Sequence, residues 1–208
     1  IDSWERQYID SLVYAQRKVD SLEQIRDRFI QEDNHYGLMI TCKALGQRYR
    51  SENRFMDAVK CHKLGMEQAI LLADTLELIQ ALNNLGTNYR RLGILTEAST
   101  FHYRALSFCE LLHNKTDKVA QKQRVISLNG IGNIYLTLDN RLLADSIFRI
   151  ALKGEQQLGS AVGQAINYAN LGAIFESNGQ TDSAWIYYRH SIKQNQKAKS
   201  NLGISLCY

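Results

Sequence analysis

The sequence predicts an all-α solenoid of antiparallel helix pairs, on three observations. A phrase is written four times: CKALGQRYRSEN at 42–53, NNLGTNYRRLG at 83–93, NGIGNIYLTLDN at 129–140 and YANLGAIFESNG at 168–179. The 208 residues contain no proline, where average usage near 5% predicts about ten. Proline breaks helices and sheets, so its absence predicts nearly continuous secondary structure with short turns. The chain is 45% hydrophobic and rich in Leu, Ala, Gln, Arg and Glu, which favours helix and suffices for a sizeable core.

The copies align on Gly46, Gly86, Gly132 and Gly172, at spacings of 40, 46 and 40. The preceding residue is Leu45, Leu85, Ile131 or Leu171, and three residues on comes Tyr49, Tyr89, Tyr135 or Phe175. At +12 stands Ala58, Ala98, Ala144 or Ala184; at +16 His62, His102, Phe148 or Tyr188; at +19 Gly65, Ala105, Ala151 or Ser191. Self-similarity at this period marks stacked repeats, because one helix pair cannot bury its own apolar face.

In chain order, residues 1–36 stand outside the repeat. Trp4, Tyr8, Leu12, Ala15, Val19, Leu22, Ile25 and Phe29 are spaced by three or four, which predicts one long capping helix or a helical pair. Four repeats follow over 37–74, 75–114, 115–160 and 161–199. In the first helix of each, positions such as Leu85, Gly86, Tyr89 and Leu92 share one face. Gly93 and Gly179, with Asn53 and Asp139 in the other copies, suit the left-handed residue just past a helix end. Thr96 and Thr181, each followed by an acid, are expected as N-caps of second helices. The extra six residues of the second interval fall around HNKTDK at 113–118 and predict a longer polar loop. NLGISLCY resembles AVGQAINY, so 200–208 is expected to begin the first helix of a fifth repeat, with the native chain continuing.

Residue size assigns roles. A helical glycine costs roughly 1 kcal/mol against alanine, so four of them imply close approach by a neighbouring helix. The alanine at +12 is expected as the matching small residue, and the aromatic as the filler of the gap to the next repeat.

The pattern of Gly, aromatic at +3, Ala at +12, aromatic at +16 and small at +19 resembles the tetratricopeptide repeat (TPR) over roughly residues 37–199. That resemblance implies a right-handed superhelical solenoid. The family period is about 34, against 40 or more here, and the closing proline is missing; both imply longer second helices or longer connections. This is similar to the long-repeat branch found in kinesin light chains, polarity scaffolds and many bacterial signalling proteins.

Several function classes are excluded or left without support. A net charge of +4, with Lys and Arg scattered among acids, lacks the basic stripe that nucleic acid requires. No apolar run approaches a membrane span, and no signal peptide is visible. The cysteines Cys42, Cys61, Cys109 and Cys207 form no CxxC pair, so no disulfide scaffold is expected. GIGN at 130–133 has Tyr135 where a dinucleotide loop needs its third glycine. Cys109 and His113 lie four apart, but nothing completes a metal shell. The N-x-T triplet at Asn114 is a weak glycosylation signal. His62 and His102 occupy the packing slot of Phe148 and Tyr188, and no catalytic set assembles. The chain is expected to be no enzyme, with no cofactor and no metal.

What remains is a surface. In TPR proteins the first helices line a concave groove, and the resemblance places positions −3, −2, +1 and +4 from each glycine there. These include Lys43, Gln47 and Arg50; Asn83, Asn84, Thr87 and Arg90; Asn129 and Asn133; and Asn170 and Glu176. An amide offers donors and an acceptor together, so it suits an extended peptide backbone, while asparagine is a mediocre helix former. Lys43, Arg50 and Arg90 are expected to favour acidic character. The Lys/Asn clamp of carboxylate-binding TPR domains is matched at Lys43 and Asn84 only, since Ile126 and Gly130 stand where it has basic residues. The partner is therefore expected to be a protein or peptide segment in the groove. The sequence style is similar to sensor regions of bacterial membrane-bound regulators, which implies a periplasmic location. A cytoplasmic peptide-responsive regulator and an assembly scaffold are the alternatives.

Overall fold

A computed structural model describes residues 2–112 and 117–199. Within them every element is a helix: α1 (Ser3–Tyr14), α2 (Val19–Gln31), α3 (His35–Ser51), α4 (Phe55–Leu71), α5 (Thr75–Arg91), α6 (Leu95–Leu111), α7 (Lys118–Thr137), α8 (Arg141–Gln157), α9 (Ala161–Ser177) and α10 (Thr181–Lys197). The chain divides into two compact units, Ile1–Glu110 and Leu111–Tyr208. Ahead of the first repeat stand two helices, α1 and α2, and α3 already begins at His35. Residues 200–208, Asn114, His113 and Cys207 lie outside the described residues.

The long period lies in the helices and not in the connections: α3 and α4 are each 17 residues, joined by 52–54 and followed by 72–74. First and second helices have lengthened equally. The wider second interval is partly absorbed by α7, which has 20 residues and starts at Lys118, inside the stretch expected as loop.

Each turn is a closed hydrogen-bond unit. Asn53 (φ 60°), Gly93 (77°), Asp139 (57°) and Gly179 (73°) take the left-handed conformation. The next amide reaches back to the aromatic at +3: Arg54 N to Tyr49 O at 2.8 Å, Ile94 N to Tyr89 O at 2.9 Å, Asn140 N to Tyr135 O at 2.9 Å and Gln180 N to Phe175 O at 2.9 Å. This six-to-one bond satisfies an orphan carbonyl. It also makes that residue the N-cap of the following helix, which corrects the capping assignment. Thr181 is the first residue of α10, after the N-cap Gln180, and Thr96 lies inside α6. Side-chain caps open all four first helices, at Asn34 to Gly37 N, Asp74 to Glu77 N, Asp117 to Val119 N and Ser160 to Gly163 N, and also the second helix α8, at Asn140 to Leu143 N.

The packing adds to the role given to the aromatic. The ring at +16 lies on the glycine of its own repeat, and His62 also borders a small cavity with Glu77, Ala81 and Asn84 of α5. A Cβ on Gly86 would stand 2.6 Å from His102 Cδ2, one on Gly132 2.7 Å from Phe148 Cε1, and one on Gly172 2.8 Å from Tyr188 Cε1. Gly46 meets the His62 ring more closely still. The alanines at +12 are sealed beside these contacts, with Ala58, Ala98 and Ala144 at 0% exposure. In the first unit the core runs from Ile9 and Val13 of α1 through Phe29 and Leu45 to Ala69 of α4. In the second it includes Ala144, Phe148, Leu171 and Ile174.

Candidate functional site

The site begins at the seam between the first helices α3 and α5. Lys43 Nζ lies 2.8 and 3.0 Å from the two Glu77 carboxylate oxygens, and Arg50 Nη1 donates to Asn84 Oδ1 at 3.0 Å. Seven residues separate the two cross-links on each helix, about two turns, so both fall on one face. Between them Lys43, Glu77 and Asn84 border a cavity of about 10 Å³, the room of roughly one water. Lys43 is thus committed to an acid, and Asn84 to an arginine.

Behind this face sit the two histidines, 2% and 1% exposed. Burial, reinforced by Arg50, pulls the His62 imidazole down to about 3; burial and Arg90 pull His102 down to about 4. Both are neutral packing groups at pH 7. His102 Nδ1 is 3.0 Å from Asn83 Oδ1; a carboxamide oxygen only accepts, so Nδ1 carries the proton. Asn83, expected on the binding face, is 2% exposed and turned inward toward this ring.

Positions +4 and +16 are matched in kind within each repeat. Arg50 and Arg90 lie beside neutral histidines, and Leu136 packs in the cluster of Phe148. Tyr188 donates its hydroxyl to Glu176 Oε2 at 2.7 Å. Sequence reasoning assigned +4 to the ligand and +16 to packing, and missed that the two are paired.

In the second unit the α7–α9 seam has lost both cross-links. Asn129 and Gly163 stand where Lys43 and Glu77 pair, and Leu136 and Asn170 stand where Arg50 meets Asn84. Asn129 Oδ1 and Asn170 Nδ2 are buried without a hydrogen-bond partner, while both side chains are half-buried as a whole. Asn133 Nδ2 donates to Asn129 O at 2.7 Å. The Glu155 carboxylate fills the space over Gly163 and is held by Lys122 Nζ at 2.9 and 3.1 Å.

Of the other expected residues, Gln47 is exposed and borders a cleft of about 300 Å³ with Tyr14 and Gln16 of the N-terminal pair. Thr87 Oγ1 returns to its own helix at Asn83 O, 2.9 Å away. Among the described residues no group of three His, Cys, Asp or Glu is placed to hold a metal, and none of their helices is long and apolar enough to cross a membrane. Cys42, Cys61 and Cys109 are buried.

No protein-family model matches the chain, and no curated protein matches it. Solved structures do. BtubC (BKLC) from P. vanneervenii superposes with a TM-score of 0.71 at 17% identity, covering 92% of this chain and 82% of that one. Rap protein complexed with competence and sporulation factor gives 0.71 at 17% identity, covering 98% of this chain and 57% of that one. A putative kinesin light chain from Podosopora anserina, with nearly identical TPR-like repeats, gives 0.64 at 13% identity, covering 94% and 93%. The chain therefore has the TPR-like solenoid fold.

Proposed function

We propose that this chain is a non-catalytic module that holds an extended peptide or protein segment against its first helices. The carrying observation is two of the unmatched buried amide atoms on α7 and α9, those of Asn129 and Asn170. An acceptor, Asn129 Oδ1, and a donor, Asn170 Nδ2, are left over where the first unit closes its seam with Lys43–Glu77 and Arg50–Asn84. A buried polar atom without a partner costs on the order of 1–3 kcal/mol. An extended backbone offers N–H and C=O groups to match both. In this reading each half-buried amide of the second unit turns outward to meet the segment, with Asn133 and Glu176 as further contacts there; Gln47, Asn84 and Thr87 are the corresponding contacts offered by the first unit. Lys43 contributes through its pair with Glu77, and Asn83 by fixing His102.

Such a module would serve as the sensor or interaction region of a bacterial signalling or transcription regulator. Rap, solved with a bound factor, supports the idea of an occupant on this fold. The test is selection from a displayed library of random 12-residue peptides, followed by hydrogen exchange. Enriched peptides should slow exchange in α3, α5, α7 and α9. Protection confined to α4, α6, α8 or α10 would place the partner on the second helices and overturn the reading.

A further inference from the structure

Most arginines of this chain that reach an acid do so at the surface. Arg28 meets Glu32 at 2.7 Å, Arg54 meets Asp57 at 2.9 Å, Arg141 meets Asp139 at 2.8 Å and Arg149 meets Asp145 at 2.8 Å. Arg50 and Arg90 reverse this pattern. Both are half-buried, and neither forms an ion pair among the described residues. The one side-chain bond of Arg50 goes to the neutral Asn84 amide. Arg91 follows directly, exposed and also without an acid. It lies seven residues from Asn84 on α5, hence on the same helix face, toward the guanidinium that Asn84 holds. Burial, and after it the Arg91 charge, pulls both Arg50 and Arg90 down from the ordinary arginine range.

Desolvating a charge is unfavourable unless a counter-charge compensates it. Arg91 repels both Arg50 and Arg90 at the ends of adjacent first helices, and none of the three meets an acid among the described residues, which leaves that requirement open. All three arginines lie in last helical turns, but each helix C-terminus offers only about half a negative charge, so three guanidiniums remain largely uncompensated. We infer that Arg50, Arg90 and Arg91 form a site for a multiply charged oxyanion: a phosphate group, or adjacent carboxylates, on the bound segment. Guanidiniums match either group through paired N–H donors. The assignment to a segment rests on the function proposed above; the anion site itself does not.

Inorganic phosphate is therefore the first probe, titrated at constant ionic strength while the arginine Nε–Hε resonances are followed. Saturable shifts at all three arginines are expected. Arg91→Gln, at an exposed helix end, should weaken phosphate binding about tenfold and raise the melting midpoint by removing like-charge repulsion. Absence of saturable shifts, or an Arg91→Gln chain with unchanged phosphate affinity, would overturn the site. Library-selected peptides carrying phosphoserine, Glu-Glu or Ser-Ser at one position separate the sources. Preference for phosphoserine assigns a phosphorylated segment, and equal gain from Glu-Glu assigns an acidic one. Equal affinity for all three overturns the oxyanion inference and leaves segment binding intact. Phosphate binding with no peptide binding keeps the site and sinks the segment.

Discussion

The His102 ring lies on Gly86, and its Nδ1 is 3.0 Å from Asn83 Oδ1. One contact joins the repeat's glycine, its aromatic slot and a residue expected on the binding face. Neither partner can be changed without moving the other.

Gly86→Ala tests that contact. Helix propensity alone would stabilise the variant by roughly 1 kcal/mol. The new methyl would meet a ring at 2.6 Å that is 1% exposed and tied to Asn83, so overpacking of about 1–3 kcal/mol should outweigh the gain and leave a net loss of up to about 2 kcal/mol. Ala144→Leu, at a site of 0% exposure, should cost a similar amount. Urea denaturation reads both, and a more stable Gly86→Ala protein would refute the packing account.

The buried histidines set a pH dependence. Unfolded, each binds a proton near its ordinary value of about 6.5; folded, His62 does so only near 3 and His102 near 4. The unfolded state takes up more protons as pH falls below 6.5. Stability is therefore fully present above that pH and declines below it, by about 1.4 kcal/mol per pH unit for each histidine. The urea midpoint should fall between pH 7 and 5. His62→Phe, which copies Phe148 of the third repeat, should flatten the dependence. An equal slope in parent and variant would show that His62 is not the titrating group.

Capping distinguishes residues that close a helix start from those already inside the helix. Asp74→Ala and Ser160→Ala should each cost about 1 kcal/mol. Thr96→Ala and Thr181→Ala should stay within about 0.5 kcal/mol, because neither residue is an N-cap. Thermal melts of the four variants check this, and a large loss at either threonine would restore the original capping assignment.

Much of the fold was legible because it rests on residue size. Gly46, Gly86, Gly132 and Gly172 cannot be exchanged under a ring, and the alanines at +12 have no spare volume, so both repeat visibly. The left-handed turn residues were legible for the same steric reason at Gly93, Gly179, Asn53 and Asp139. The turns hid the N-caps, since the residue that closes one helix also opens the next, and an arginine or glutamine can do so. Asp74 and Ser160 were available as capping signals but went unread. The binding face was less legible. A polar residue at −3 looks the same in sequence whether it faces outward, as in half-buried Lys43, or inward, as in Asn83. Only the partner decides, and Glu77 and His102 lie 34 and 19 residues away.

The most direct measurement is the affinity of library-selected peptides for the parent and for a triple variant, Asn84→Ala, Asn133→Ala and Asn170→Ala, with helical content followed by far-UV circular dichroism. All three side chains are half-buried rather than sealed in the core, so the variant should keep its helix signal. Each lost hydrogen bond should cost on the order of 1 kcal/mol, which together predicts a loss of at least tenfold. A fully helical triple variant that binds those peptides as tightly as the parent would contradict the proposal that the first-helix amides hold the segment.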